Sequence, residues 1–145
     1  MSSGKYIVGV DGSQWSERAV EKAVRLAGDT GAQVKILYVL DWSSLQPIVA
    51  EGVVPPPIDA KTEEKRIFED VLQPLVDKYQ AGKVSVSTDL IWGEPVDVLH
   101  EQIKQEHATM LFVGRRGRSR FVDILLGSVA NKLAHRVGVP IVLVP

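Results

Sequence analysis

The chain contains five short strand-like runs, and a stretch with apolar residues at helical spacing separates each run from the next. The runs are residues 6–10, 34–40, 84–91, 110–113 and 140–144. Short apolar runs suit strands that are buried on both faces, and amphipathic helices suit the layers that cover them. The order β-α-β-α-β-α-β-α-β therefore predicts an α/β fold, with one open parallel sheet of five strands and helices on both of its faces.

The helix boundaries carry signals of their own. Ser13 is a good N-cap for the first helix, and Gly28 and Gly31 are predicted to end it. Pro95 fits the first turn of the third helix, and Pro74 predicts a kink in the second. The inward faces are predicted to consist of Ala19, Val20, Ala23, Val24 and Ala27, then Phe68, Val71, Leu72, Leu75 and Tyr79, then Val96, Leu99 and Ile103, and finally Val129, Leu133, Ala134 and Val137.

Length and composition exclude several classes of protein. The 145 residues predict a single domain, 1–145, and the 45% apolar and 24% charged composition is that of an ordinary folded protein. A net charge of −1 argues against nucleic acid as a partner, and the absence of cysteine excludes disulfides and cysteine zinc sites. No apolar run approaches the ~20 residues of a membrane helix, and the first residues do not resemble a signal peptide. We therefore expect a cytoplasmic protein with no membrane partner.

A glycine-rich loop follows the fourth strand-like run. Gly114-Arg115-Arg116-Gly117 comes directly after residues 110–113, and Gly127-Ser128 follows nine residues later, just before a helical pattern that begins at Val129. Backbone N–H groups in such a loop and the N-terminus of the next helix can bind an anion, most simply a nucleotide phosphate. Tight turns between a strand and a helix use the same glycines, so the pattern leaves both interpretations open. The chain lacks the Gly-Lys-Ser/Thr of a P-loop and the compact Gly-x-Gly-x-x-Gly of NAD and FAD folds.

Asp11 stands at the end of the first strand, as Gly114 stands at the end of the fourth. Ligands of open parallel sheets bind beyond the carboxyl ends of the strands, where the strand order reverses. If the first and fourth strands are neighbours, Asp11 and the glycine loop contribute to one site. An aspartate at this position is also typical of a turn or a helix cap.

These motifs resemble those of the universal stress protein family, in its ATP-binding branch. The resemblance covers essentially the whole chain and rests on Val8-Gly9-Val10-Asp11-Gly12-Ser13, Leu37-Tyr38-Val39, the Gly114–Gly117 and Gly127-Ser128 spacing, and the ending Val139-Pro140-Ile141-Val142-Leu143-Val144. It implies an adenine nucleotide alpha hydrolase-like, Rossmann-like sheet with strand order 3-2-1-4-5. It also implies a homodimer that forms through the C-terminal strand, residues 140–144.

The resemblance further implies a role for each matching residue. Asp11 would accept a hydrogen bond from the adenine amino group, and the backbone of Val39 would face the adenine edge. Gly114 would approach the ribose and the first phosphate, and the loop and the following helix would bind the phosphates. The residues expected at the nucleotide are Gly9, Val10, Asp11, Val39, Val113, Gly114, Gly117, Arg118, Gly127, Ser128 and Val129.

Four arginines distinguish this glycine loop. Arg115, Arg116, Arg118 and Arg120 lie within six residues, and guanidinium groups match phosphate oxygens well. The cluster predicts strong attraction to a triphosphate. A solvated basic loop is the simpler interpretation for any single arginine, and an acidic partner or an RNA phosphate is a third, minor one.

No catalytic residue and no resident metal site is predicted. His100, His107 and His135 fall away from the glycine loop, and Asp123 is only a weak candidate for reaching a Mg²⁺ ion carried by ATP. The sequence therefore predicts a regulatory protein of the stress response that binds ATP, ADP or AMP, with or without Mg²⁺, and hydrolyses it slowly or not at all. Its regulatory protein partner is unidentified.

Three alternatives stay open. The chain could be a dimeric interaction module that binds no nucleotide, a flavodoxin-like FMN binder, or a slow ATPase or adenylyl-transfer enzyme. Adenylyl transfer needs a second substrate pocket, for which the long connection 41–58, with Trp42, is the only candidate. A connection of that length is either a functional lid or partner surface, or a flexible insertion.

Overall fold

A computed structural model describes residues 4–41, 59–116 and 128–145 of the chain. Its five parallel strands form one sheet in the order β3-β2-β1-β4-β5, which confirms the α/β fold and the strand order that the resemblance implies. The strands are β1 Lys5–Val10, β2 Gln33–Leu40, β3 Val86–Trp92, β4 Met110–Gly114 and β5 Ile141–Val144.

Helices cover both faces of the sheet. One core holds the apolar faces of α1 and of the helical segment between β2 and β3, and the other holds α4 and α5. Most of the predicted inward residues are buried, among them Val96, Leu99 and Ile103 of α4. The helices are α1 Gln14–Thr30, α2 Ala60–Ile67, a π turn Phe68–Leu72, α3 Gln73–Tyr79, α4 Pro95–Gln105 and α5 Ser128–Arg136.

Both ends of α1 carry capping residues that helices prefer. The N–H of Ser16 donates to Oγ of Ser13 at 3.2 Å, which confirms Ser13 as the N-cap. Gly31 has a φ of 79° and its N–H donates to the carbonyl of Ala27 at 2.8 Å. The prediction that Gly28 also ends α1 is wrong, because only Gly31 takes the left-handed conformation that closes a helix.

The segment around Pro74 contains a π turn where the sequence predicts a kink. Proline has no N–H to donate, and its ring displaces the carbonyl four residues earlier. The turn Phe68–Leu72, just before Pro74, absorbs this defect with wider hydrogen bonds, such as that from the N–H of Gln73 to the carbonyl of Phe68. It also rotates the helix face, so that Ile67 is buried and Phe68 is 46% exposed. The prediction that Phe68 faces the core is therefore wrong.

The inward face of α5 also differs from the prediction by part of a turn. Ala130 and Leu133 are buried, whereas Val129 is 36% exposed and Ala134 is exposed. Helix α5 packs on α4, and an ion pair joins Arg136 to Asp97 at the N-terminal turn of α4. Packing on α4 sets which side of α5 faces the core, and nine residues are too few for periodicity to show it.

Two lysines hold the carboxylate of Glu106 at the far end of α4. Nζ of Lys35 lies 2.7 Å from Oε1 of Glu106, and Nζ of Lys5 lies 2.7 Å from Oε2. Hydrogen bonds from Lys35 and then from Lys5 lower the pKa of Glu106 from 4.5 to about 2. The ionised form is thus favoured in the folded chain, and its contribution to stability is present above pH 4.5 and is lost as the pH falls toward 2.

We expect Glu106→Gln to lower the free energy of unfolding at neutral pH by about 1–2 kcal/mol, a value reduced for partial exposure to solvent. The difference from the wild type should fall by about half near pH 3 and approach zero at lower pH. Urea unfolding at several pH values measures it. Glu101→Gln on the exposed side of the same helix is the matched control, because Glu101 is exposed and accepts a hydrogen bond from Nε2 of Gln105. A difference that stays constant down to pH 3 would contradict the assignment.

Candidate functional site

The end of β1 and the end of β4 form one edge of the sheet. Strand β1 lies between β2 and β4, with Gly9 in register with Leu37 on one side and with Val113 on the other. Asp11 therefore follows β1 at the same edge at which Gly114 ends β4, as the sequence predicts if these strands are neighbours. From β1 the chain continues to β2 and β3 on one side of the sheet, and from β4 it continues to β5 on the other side. This edge is therefore the switch point of the strand order, where open parallel sheets bind ligands.

Asp11 makes a turn into α1. Its Oδ1 accepts a hydrogen bond from the N–H of Ser13 at 2.9 Å, and its own N–H donates to Oγ of Ser16 at 3.3 Å. Gly12 between them has a φ of 84°, which favours glycine. The turn role of Asp11 is thus present in the structure. It is compatible with ligand binding, because an ionised carboxylate has about four acceptor sites and the side chain is partly exposed at the edge.

The two glycines at this edge are constrained by packing. A Cβ on Gly114 would lie 2.9 Å from Cβ of Trp15, 3.0 Å from its carbonyl carbon and 3.1 Å from the carbonyl oxygen of Arg116. A Cβ on Gly9 would lie 3.3 Å from Cγ1 of Val113 and 3.5 Å from Cδ1 of Leu99. Neither glycine has a positive φ. Close approach of neighbouring elements therefore explains both positions before any ligand is considered.

The side chains of three valines predicted at the site pack in the core or against it. Val10 is 6% exposed and Val113 is 7% exposed, and Val39 packs against the core between the sheet and α4. Contacts from these positions to a ligand are therefore left to the backbone at the ends of β1, β2 and β4.

The glycine loop is described only at its two ends. Arg115 and Arg116 are exposed, and the N–H of Arg115 donates to the carbonyl of Val144 at 2.7 Å. Ser128 begins α5, and Val129 lies exposed in its first turn. The other predicted residues of this region and of the long connection lie outside the described residues: Gly117, Arg118, Arg120, Asp123, Gly127 and Trp42.

Helix α4 takes His107 away from this edge. It begins after the carboxyl end of β3, whereas His107 follows its last turn and precedes β4. His135 is the penultimate residue of α5. Among residues 4–41, 59–116 and 128–145, no group of three or more His, Cys, Asp or Glu side chains is placed to hold a metal ion. In that same part of the chain, none of the helices combines the length and the apolarity needed to cross a membrane.

Sequence reasoning did not include Trp15 and Ser16 in the site. Ser16 is 3% exposed and bonds both to the N–H of Asp11 and to the carbonyl of Ser13, so it fixes the turn. Trp15 lies against the end of β4. A signal was available, because both residues stand in the first turn of a helix that was predicted to begin at this edge of the sheet.

Comparison with known proteins finds similarity along essentially the whole chain. The family model described as the universal stress protein family matches residues 4–145. The universal stress protein YxiE of Bacillus subtilis is 29% identical over 144 residues, which cover 97% of either chain.

Solved structures share the fold across their whole length. A universal stress protein in complex with cAMP has a TM-score of 0.68 and 26% identity, and the match covers 98% of this chain and 96% of that one. The universal stress protein of Archaeoglobus fulgidus in complex with dAMP has a TM-score of 0.70 at 18% identity, with all of both chains covered.

Proposed function

The chain belongs to the universal stress protein family, and from that premise we propose that it is a regulatory protein that binds adenine nucleotides at the common edge of β1 and β4. The observation that carries the proposal is that Asp11 and Gly114 end neighbouring strands at the switch point of the sheet. The complexes of similar proteins with cAMP and dAMP support it.

The proposed site uses the backbone more than the side chains. The carboxylate of Asp11 accepts from the adenine amino group, the backbone of Val39 faces the adenine edge, and Gly114 lies by the ribose and the first phosphate. The buried side chains of Val10 and Val113 suit this arrangement, because they leave the main-chain atoms of the strand ends to contact the ligand. Gly9, Val10 and Val113 complete the strand ends, and Gly117, Arg118, Gly127, Ser128 and Val129 are assigned to the phosphates.

The test is a calorimetric titration of the purified protein with Mg-ATP, ADP and AMP. We expect saturable binding of one nucleotide per chain, once nucleotide carried over from purification has been removed. If protein from which nucleotide has been removed shows no heat of binding, the result would instead favour a dimeric interaction module that binds no nucleotide. Yellow protein after purification would favour FMN.

We propose that the bound nucleotide acts as a signal and is hydrolysed slowly or not at all. Binding groups lie at the proposed site, whereas His107, between α4 and β4, lies toward the other end of the strands. Enzymes typically turn over roughly 1–10³ times per second, and we expect phosphate release at least ~10³-fold slower than the lower of these rates. A steady-state phosphate assay measures it. Release at ~1 s⁻¹ from protein free of contaminating ATPase would assign the chain to enzymes.

We further propose a homodimer through residues 140–144. Strand β5 ends the sheet, and exposed apolar edges invite pairing with another chain. The N–H groups of Leu111 and Arg115 donate to the carbonyls of Pro140 and Val144. Because backbone groups of a strand alternate in direction, the N–H of Leu143 points away from β4, where a second chain would bind it.

We expect Leu143→Pro to weaken the dimer at least ~10-fold while β5 stays paired with β4, since proline is tolerated at the outward side of an edge strand. Light scattering over a range of protein concentrations measures the dissociation constant. Val142→Pro is the matched control, because it removes an inward N–H and should destabilise the fold itself. A wild-type protein that is monomeric at micromolar concentration would contradict the proposed homodimer.

A further inference from the structure

Trp15 packs tightly under the chain that leaves β4. The backbone of Gly114 approaches Trp15 so closely that a Cβ at Gly114 would lie 2.9 Å from Cβ of Trp15. Trp15 is the second residue of α1 and is half-buried. The indole therefore stands beside the first residues of the glycine loop and is held there by the helix.

The guanidinium of Arg116 lies over the ring of this tryptophan. Its Cζ is 6.0 Å from the centre of the indole, at the outer limit of a cation–π contact. The N–H of the preceding residue, Arg115, donates to the carbonyl of Val144 at 2.7 Å. The backbone before Arg116 is thus bonded to β5, and the indole provides an aromatic surface for the guanidinium of Arg116.

The strand order separates Arg116 from the proposed adenine contacts. The proposed adenine contacts lie at the ends of β1 and β2, whereas Arg116 follows β4 on the side of β5. Neighbouring strands are about 4.8 Å apart, so about 14 Å separates the end of β2 from the end of β5. In the proposed orientation the adenine lies by β1 and β2 and the ribose lies by Gly114 at the end of β4. The β- and γ-phosphates of such a nucleotide would extend beyond β4, toward β5. A positioned cation on that side thus contacts a triphosphate better than a monophosphate.

We propose that Trp15 and Arg116 form a specificity-determining pair, in which the indole positions the guanidinium for the outer phosphates, so that the site prefers ATP over AMP. The inference rests on the proposed function and deepens it, since it names which nucleotide the same site retains. Trp15 acts through Arg116 and is a positioning residue, whereas Arg116 contacts the ligand.

The experiment measures the ratio of the dissociation constants of AMP and ATP by calorimetry in five proteins. They are the wild type, Arg116→Ala, Trp15→Ala, Trp15→Phe and Arg115→Ala. We expect the preference for ATP to fall about tenfold in Arg116→Ala, as loss of a charge-assisted hydrogen bond implies. The preference for ATP should fall by a similar factor in Trp15→Ala. Trp15→Phe keeps an aromatic face and should retain most of the preference.

Arg115→Ala is the matched control, because it removes an equal charge one residue away while leaving the backbone bond to Val144 in place. An equal loss in Arg115→Ala and Arg116→Ala would reduce the effect to general attraction and overturn the pair. So would an unchanged ratio in both Trp15→Ala and Arg116→Ala. Because the ratio compares two ligands on the same protein, partial unfolding of a variant affects both constants alike. Failure of the proposed function is distinct from these results, since the wild type would then bind neither nucleotide.

Discussion

Asp11→Ala should lower the affinity for ATP at least about tenfold. A hydrogen bond to a charged group is worth about 1.5–3 kcal/mol, and each 1.4 kcal/mol is a factor of ten in binding. The carboxylate is the only side chain of the turn that carries a charge, and it stands at the end of the central strand β1. Its removal takes away the contact that we propose for the adenine amino group, and so AMP, ADP and ATP should all lose a similar factor.

The same substitution should cost little stability. Among its interactions, Asp11 loses the hydrogen bond from the N–H of Ser13, and a partly exposed bond of that kind is worth about 0.5–1.5 kcal/mol. Asp11→Asn keeps an acceptor for Ser13 and should leave stability nearly unchanged while still weakening nucleotide binding. Asp29→Ala, an exposed carboxylate at the other end of α1, is the charge-matched control. If Asp11→Ala is folded, as shown by urea unfolding, and binds ATP with unchanged affinity, the nucleotide does not bind at the proposed site.

The sheet could be predicted from the sequence because its signal is local. Each strand is a short apolar run, and the helices between them carry caps such as Ser13 that depend on neighbouring residues only. The strand order came from the resemblance to a family, since pairing between distant runs leaves no mark on either run. The errors at Phe68, Val129 and Ala134 all concern which side of a helix faces the core. The phase of a helix is set by the surface against which it packs and, near Pro74, by a π turn that periodicity does not include.

The location of the site could be predicted from the sequence, whereas the contacts between its residues were harder to predict. Asp11 and Gly114 could be placed at one edge because parallel strands bring their carboxyl ends together. That Gly114 packs on Trp15 and that Arg116 lies over the indole depend on contacts between residues about a hundred positions apart. The sequence leaves a ligand or a tight turn as the reason for Gly114, and the structure adds its close packing on Trp15.

Gly114→Ala should destabilise the fold by about 1–3 kcal/mol, the cost of overpacking a filled region. The new Cβ would lie 2.9 Å from Cβ of Trp15 and 3.0 Å from its carbonyl carbon, so α1 or the end of β4 must shift. Gly28→Ala is the matched control. It lies inside α1, where the nearest atom to a new Cβ is Cγ2 of Val84 at 3.9 Å, and it should stabilise the helix by about 0.5–1 kcal/mol. Urea unfolding of the two variants measures the contrast.

The double variant Gly114→Ala with Trp15→Ala separates the two reasons for a glycine at this position. Alanine at 15 keeps the Cβ and the carbonyl carbon that the new methyl would meet, so the double variant should not regain the stability lost in Gly114→Ala. Full recovery would mean that the indole ring, and not the start of α1, is the obstacle. If Gly114→Ala loses stability yet its folded fraction binds ATP as tightly as the wild type, the glycine serves packing. A loss of affinity beyond the loss of folded protein would show that the ligand also requires the missing side chain.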